Sequence, residues 1–133
     1  MNIKQWFSTY FTNHAETSEE HWNEALRTHY FKTTKDKAFT QLEDYYNNSS
    51  KYKLVSSSIE HGEMSLQTVK GKKAFIVVSI VMVQPYRTAI DYSVTTESAL
   101  PFDFGNSHKL IQKQHEEIRE LLPFLETAMA HKM

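Results

Sequence analysis

Residues 75–83, Phe-Ile-Val-Val-Ser-Ile-Val-Met-Val, constrain this chain more than any other stretch, because a strand of that composition offers neither face to water. Side chains alternate along a strand, so Phe75, Val77, Ser79, Val81 and Val83 line one side, and Ile76, Val78, Ile80 and Met82 line the other. The next strand candidate is different. Ile90, Tyr92 and Val94 alternate with Ala89, Asp91, Ser93 and Thr95, the pattern of one buried and one wet face. The sheet therefore has one face only partly accounted for. The expectation is that Ile76, Val78, Ile80 and Met82 are covered by a helix of the chain, a second copy or a ligand.

The pattern around this run predicts an α+β fold. Four strands are expected in close order, over 51–59, 63–70, 73–84 and 87–97, joined by His61-Gly62, Gly71-Lys72 and Pro85-Tyr86. Connections this short favour antiparallel hairpins, hence a meander. Leu26–Thr33 reads as a further short strand, which makes a sheet of four to five strands. A helix over 34–48 presents Ala38, Phe39, Leu42, Tyr45 and Tyr46 on one face, with Thr33 and Asp36 able to cap its start. A last helix carries Leu110, Ile111, Ile118, Leu121, Leu122 and Leu125, with Pro123 expected to kink or restart it. These helices are expected on one face of the sheet. Thr17 with Glu20 resembles a capping box before Trp22, Ala25 and Leu26. Ile3, Trp6, Phe7, Tyr10 and Phe11 fall at helical spacing, so residues 1–16 are read as an aromatic N-terminal helix on a 26–130 core.

At 133 residues the chain is expected to be a single domain, 1–133, able to bury an unaided core. A formal charge of −1 supplies no field to recruit nucleic acid. The absence of cysteine excludes disulfides, thiolate catalysis and Cys-based zinc sites, and suits the cytoplasm. Residues 1–11 lack the apolar region and cleavage site of a secretion signal, and no run approaches the eighteen apolar residues of a transmembrane helix. Lys4 is the only cation near the aromatic stripe, so the basic polar face of a membrane-surface helix is missing.

The candidate chemistry is thin. His108 and His115 lie two helical turns, about 10 Å, apart, too far to close on one metal ion. His14, His21 and His29 define no ligand geometry, and the histidines read as exposed or capping residues. The doublets Glu19-Glu20, Glu43-Asp44 and Glu116-Glu117 diverge by about 100° around a helix and read as solvated faces. No nucleophile elbow, phosphate loop or cofactor motif occurs. The best local motif is 100–108, Leu-Pro-Phe-Asp-Phe-Gly-Asn-Ser-His, where Asn106 or Ser107 can cap the final helix and Gly105 permits a tight approach.

Thr95-Thr96-Glu97-Ser98, a loop, Asp103-Phe104-Gly105-Asn106 and an Ile-bearing helix resemble a small bacterial family of uncharacterised domains, over roughly residues 26–125. Leu26-Arg-Thr-His-Tyr-Phe-Lys-Thr is similar to that family's strand before a helix. His29 stands where the family has an arginine, and its arginine after the last strand has no counterpart in 95–99. The resemblance implies a fold and no activity.

Three functions are expected in descending order. The first is a non-enzymatic binding domain that self-associates through Ile76, Val78, Ile80 and Met82, with Trp6, Phe7 and Tyr10 nearby. Exposing each side chain of that face would forgo about 1.5–3 kcal/mol. The second is a carrier of a small apolar ligand, held between sheet and helices by Tyr52, Met64, Phe75, Ile90 and Tyr92, with Asp103, Asn106 and His108 at the last helix start. The third is a hydrolase or isomerase using His108 with Asp103.

Overall fold

The computed structural model describes residues 14–71, 73–97 and 105–129. In chain order these form β1 (His14–Glu16), a 3-10 turn (Glu24–Leu26), β2 (His29–Phe31), α1 (Lys35–Asn47), β3 (Tyr52–Ser58), β4 (Glu63–Thr68), β5 (Ala74–Gln84), β6 (Arg87–Thr96), α2 (Asn106–Leu121) and β7 (Phe124–Thr127). The class is α+β with an antiparallel sheet, as the pattern predicts, but the sheet has seven strands rather than four to five. Its order is β3-β4-β5-β6-β2-β7, and β1 also pairs with β6. Ten-residue β6 takes β5 along one edge and accommodates both β1 and β2 on the other, opposite Ser93–Thr95 and Thr88–Ile90.

The meander forms where its turns place it. The strand expected over 26–33 contracts to His29–Phe31, because Asn23 accepts a hydrogen bond from the Ala25 amide and winds Glu24–Leu26 into a turn. Thr17 does not open a helix. Its hydroxyl donates to Asp91 and accepts from the Tyr92 amide, tying the segment after β1 to the sheet. Residues 14–16, expected at the end of an aromatic helix, are strand β1; Trp6, Phe7 and Tyr10 lie outside the described residues.

Thr34 caps α1 by accepting from the Lys37 amide, and Ala38, Phe39, Leu42 and Tyr46 form its buried stripe. Neither Asn106 nor Ser107 caps α2. Gly105 holds the N-cap position at φ 84°, a left-handed conformation that glycine adopts without the Cβ clash. Ile111, Gln114, His115 and Ile118 face inward from α2. Pro123 ends the helix, since the residue before a proline is driven to extended backbone and Leu122 has ψ 151°. The chain continues as β7, so Leu125 belongs to a strand and is exposed.

Both described helices contribute buried side chains to one core cluster, shared with Tyr52, Met64, Leu66, Ala74, Ile76, Val78, Ile80, Ile90, Tyr92 and Val94 of the sheet. Ile76, Val78 and Ile80 are at most 1% exposed. They are covered by the chain's own helices and are core, not an interface; each contributes about 1.5–3 kcal/mol of burial. Met82 shares their parity but is 44% exposed.

The exposed face of β5 is the opposite one, and a β-bulge explains the reversal. Gln84 pairs with Arg87 across the Pro85-Tyr86 turn, yet the next pair is Met82 with Thr88, which leaves Val83 as an extra residue on β5. Continued without that bulge, the register would set Val81 beside Ile90 and Val77 beside Val94. With it, Ile80 pairs with Ile90, Val78 with Tyr92 and Ile76 with Val94. One inserted residue exchanges the two faces of the strand.

Candidate functional site: the outward sheet face

The strand register assigns residues to the face away from α1 and α2 in rows. Gln67, Phe75, Thr95 and His14 form the first; Ser65, Val77, Ser93 and Glu16 the second; Glu63, Ser79 and Asp91 the third; Val81, Ala89 and Tyr30 the fourth. Serine, threonine and charged residues flank an apolar line on β5. Phe75 is 41% exposed, Val81 53% and Val83 46%, with Val77 half-buried between them. Ser79 interrupts the line between Val77 and Val81, so the apolar side chains of this face fall into two groups, Phe75 with Val77 and Val81 with Val83.

The two ends of this line differ. At the Phe75 end, Gln67, Lys73, Thr95 and Glu97 surround the ring in a pocket of about 420 Å³. At the other end, Val81, Val83 and Ala89 floor an open groove of about 630 Å³ rimmed by Glu19, Glu20 and Asp91. Asp91 Oδ1 accepts hydrogen bonds from the hydroxyls of Thr17 and Thr28, each at 2.6 Å. Burial pushes the Asp91 carboxyl above its usual range, the two hydroxyl donors oppose that shift, and Glu19 adds to it. Beside the groove Arg87 pairs with Glu126 at 2.6 Å and lies 4.0 Å over the Tyr30 ring, while the Tyr30 hydroxyl donates to Glu19. Burial, then that hydrogen bond, raises the Tyr30 hydroxyl to about 12.

The expected carrier pocket does not assemble. Tyr52, Met64, Ile90 and Tyr92 belong to one buried cluster on the helix side, whereas Phe75 points to the opposite side of the sheet. Asn106 lies in the first turn of α2, partly exposed, and His108 beside it is buried. Asp103 lies outside the described residues, so the pairing expected of His108 with Asp103 does too.

The core also holds polar chemistry that the sequence does not announce. Tyr46 donates to Gln114 Oε1 at 2.7 Å, Gln114 Nε2 donates to the Tyr52 hydroxyl at 2.6 Å, and Tyr45 donates to Glu117, which also pairs with Lys51. His29 and His115, expected at the surface, are each 5% exposed and stack with ring centroids 3.5 Å apart. Burial, then Arg119, lowers His29 to about 4; burial, then His29 and Arg119, lowers His115 to about 3, opposed by the Arg27 backbone. Both rings are therefore neutral at pH 7. Stacked rings direct their in-plane lone pairs along nearly parallel planes, so this pair cannot chelate one ion. Among the described residues no group of three or more His, Cys, Asp or Glu is placed to hold a metal, and no helix is long and apolar enough to cross a membrane.

No family model matches the chain, and neither a search of curated proteins nor one of solved structures finds a match.

Proposed function

We propose that this chain is a non-enzymatic, cytosolic binding domain that works through the outward face of its sheet, and that its partner there is a second copy. The carrying observation is that Phe75, Val81 and Val83 are exposed, with Val77 half-buried, on the face that neither described helix covers, while α1 and α2 fill the other. From Phe75 to Val83 is about 26 Å of strand, and four strands span about 19 Å, so face-to-face stacking covers on the order of 500 Å² per copy. The total of about 1,000 Å² reaches the lower bound of a specific interface, and it predicts a weak, concentration-dependent association. The outer strands do not offer an easier route. Val55 on β3 and Leu125 on β7 are extra residues that break the ladders with β4 and β2, and bulges of this kind discourage edge-to-edge pairing.

Sedimentation equilibrium tests the reading. The wild type is expected to shift toward twice its 15.6 kDa chain mass as concentration rises, and Val77→Lys/Val81→Lys to remain at the chain mass. A wild type that stays at the chain mass throughout, or a double variant that associates equally well, overturns it.

A further inference from the structure

We propose that the cleft between α2, β2 and the 3-10 turn binds a small monocarboxylate, held by the Arg119 guanidinium and the Nε2–H of His29. This site lies on the helix side of the sheet and does not depend on the reading of the outward face.

The cleft is shallow and open, of about 510 Å³, and is lined by Glu24, Ala25, His29, His115, Glu116 and Arg119 among others. Three observations point to a ligand rather than to packing alone. First, the Arg119 guanidinium lies 4.1 Å over the Phe124 ring, and although Glu24 and Glu116 line the same cleft, no carboxylate among the described residues forms an ion pair with it. A guanidinium stacked by its face keeps its edge N–H groups free for the fork that fits a carboxylate.

Second, Phe124 also packs on His29, with ring centroids 5.0 Å apart, so one ring contacts both the imidazole and the guanidinium that line the cleft. Third, His29 is 95% buried by its 5% exposure, and its Nδ1 is enclosed with no hydrogen-bond partner. A buried Nδ1 without an acceptor is a poor place for a proton, so the neutral ring carries it on Nε2, the nitrogen left to reach the cleft. His115, stacked behind, fixes the ring plane. The result is one neutral donor and one cation lining the same cleft.

The rim decides the charge of the ligand. Glu24 and Glu116 line the same cleft, and their repulsion acts on both charges of a phosphate dianion but on only one of a monocarboxylate, which gains the same fork.

The test is an NMR titration of the ¹⁵N-labelled full chain with benzoate, and separately with phenyl phosphate, at constant ionic strength made up with chloride. The His29 ring nitrogen resonances report the site directly. Benzoate is expected to shift them saturably, more tightly than phenyl phosphate does. Arg119→Met, at an exposed position and able to keep the contact with Phe124, is expected to weaken binding at least about tenfold while its thermal melt stays that of the wild type. A benzoate response that is absent, or equal in Arg119→Met, overturns the site, and tighter phenyl phosphate binding overturns the carboxylate assignment.

Discussion

Acidification below pH 6.5 should destabilise this fold steeply, because two stacked imidazoles are buried in neutral form. His29 and His115 titrate at about 4 and about 3 in the folded chain, against an ordinary 6.5. The unfolded chain therefore takes up protons first as the pH falls. Stability is fully present above pH 6.5 and is lost progressively through the window between 6.5 and the folded values. Each pH unit in that window costs about 1.4 kcal/mol per ring, so two rings cost on the order of 4 kcal/mol between pH 6.5 and 5. A domain of ordinary stability has only about 5–15 kcal/mol to lose. His21, also lowered by burial first and then by Arg27, acts in the same direction. Asp91, raised by burial, acts in the opposite one, binding its proton more tightly when folded. Urea unfolding followed by circular dichroism at a series of pH values measures the loss. His115→Phe preserves a ring against His29 and Tyr92 and removes one titrating group. It should fold at pH 7 and lose about half as much stability by pH 5. An unchanged urea midpoint between pH 7 and 5, or a His115→Phe slope equal to that of the wild type, would refute the reasoning.

Five further substitutions test the packing by chemical denaturation. Ile80→Ala should cost about 2–5 kcal/mol, whereas Val81→Ala, its neighbour on the exposed face, should stay within about 0.5 kcal/mol. Gly62→Ala should cost more than Gly71→Ala: both glycines have positive φ, but a Cβ at Gly62 clashes with the Ile80 carbonyl oxygen, and one at Gly71 meets nothing within 4 Å. The φ strain common to both is about 1–3 kcal/mol, so the difference between them isolates the steric clash. Gln114→Leu deprives the Tyr46 hydroxyl of its acceptor and the Tyr52 hydroxyl of its donor, and should cost about 1–3 kcal/mol for each buried group left unsatisfied.

How far the sequence is legible depends on which signals are local. The stripe Ala38, Phe39, Leu42 and Tyr46 specifies α1, and the turn pairs between β3 and β6 specify a meander, because both depend on residues close in the chain. The direction in which β5 faces does not. Phe75–Val83 is apolar on both sides, so nothing in its pattern prefers one, and the choice falls to the extra Val83 in the ladder with β6. The alternation of Ile90, Tyr92 and Val94 is the readable half of that pairing; the bulge is not. Strand β1 is three residues long and β7 four, and each forms by pairing with a strand remote in sequence. Pro123 marks the end of α2 but gives no sign of the strand beyond it. His29 and His115 are polar and so read as exposed, and only the packing of α2 on β2 brings them together. A histidine on the same helical face as Ile111 and Ile118, as His115 is, is the available hint.

The outward face of β5 is the working surface in this account, and the inward face is core. Hydroxyl-radical footprinting of the wild type from dilute to concentrated solution reads both at once, residue by residue. The prediction is that Ile76, Val78 and Ile80 resist oxidation at every concentration, while Phe75, Val81 and Val83 are oxidised in dilute solution and become protected as concentration rises. Oxidation of Phe75, Val81 and Val83 that is the same at all concentrations, or ready oxidation of Val78 and Ile80, would contradict it.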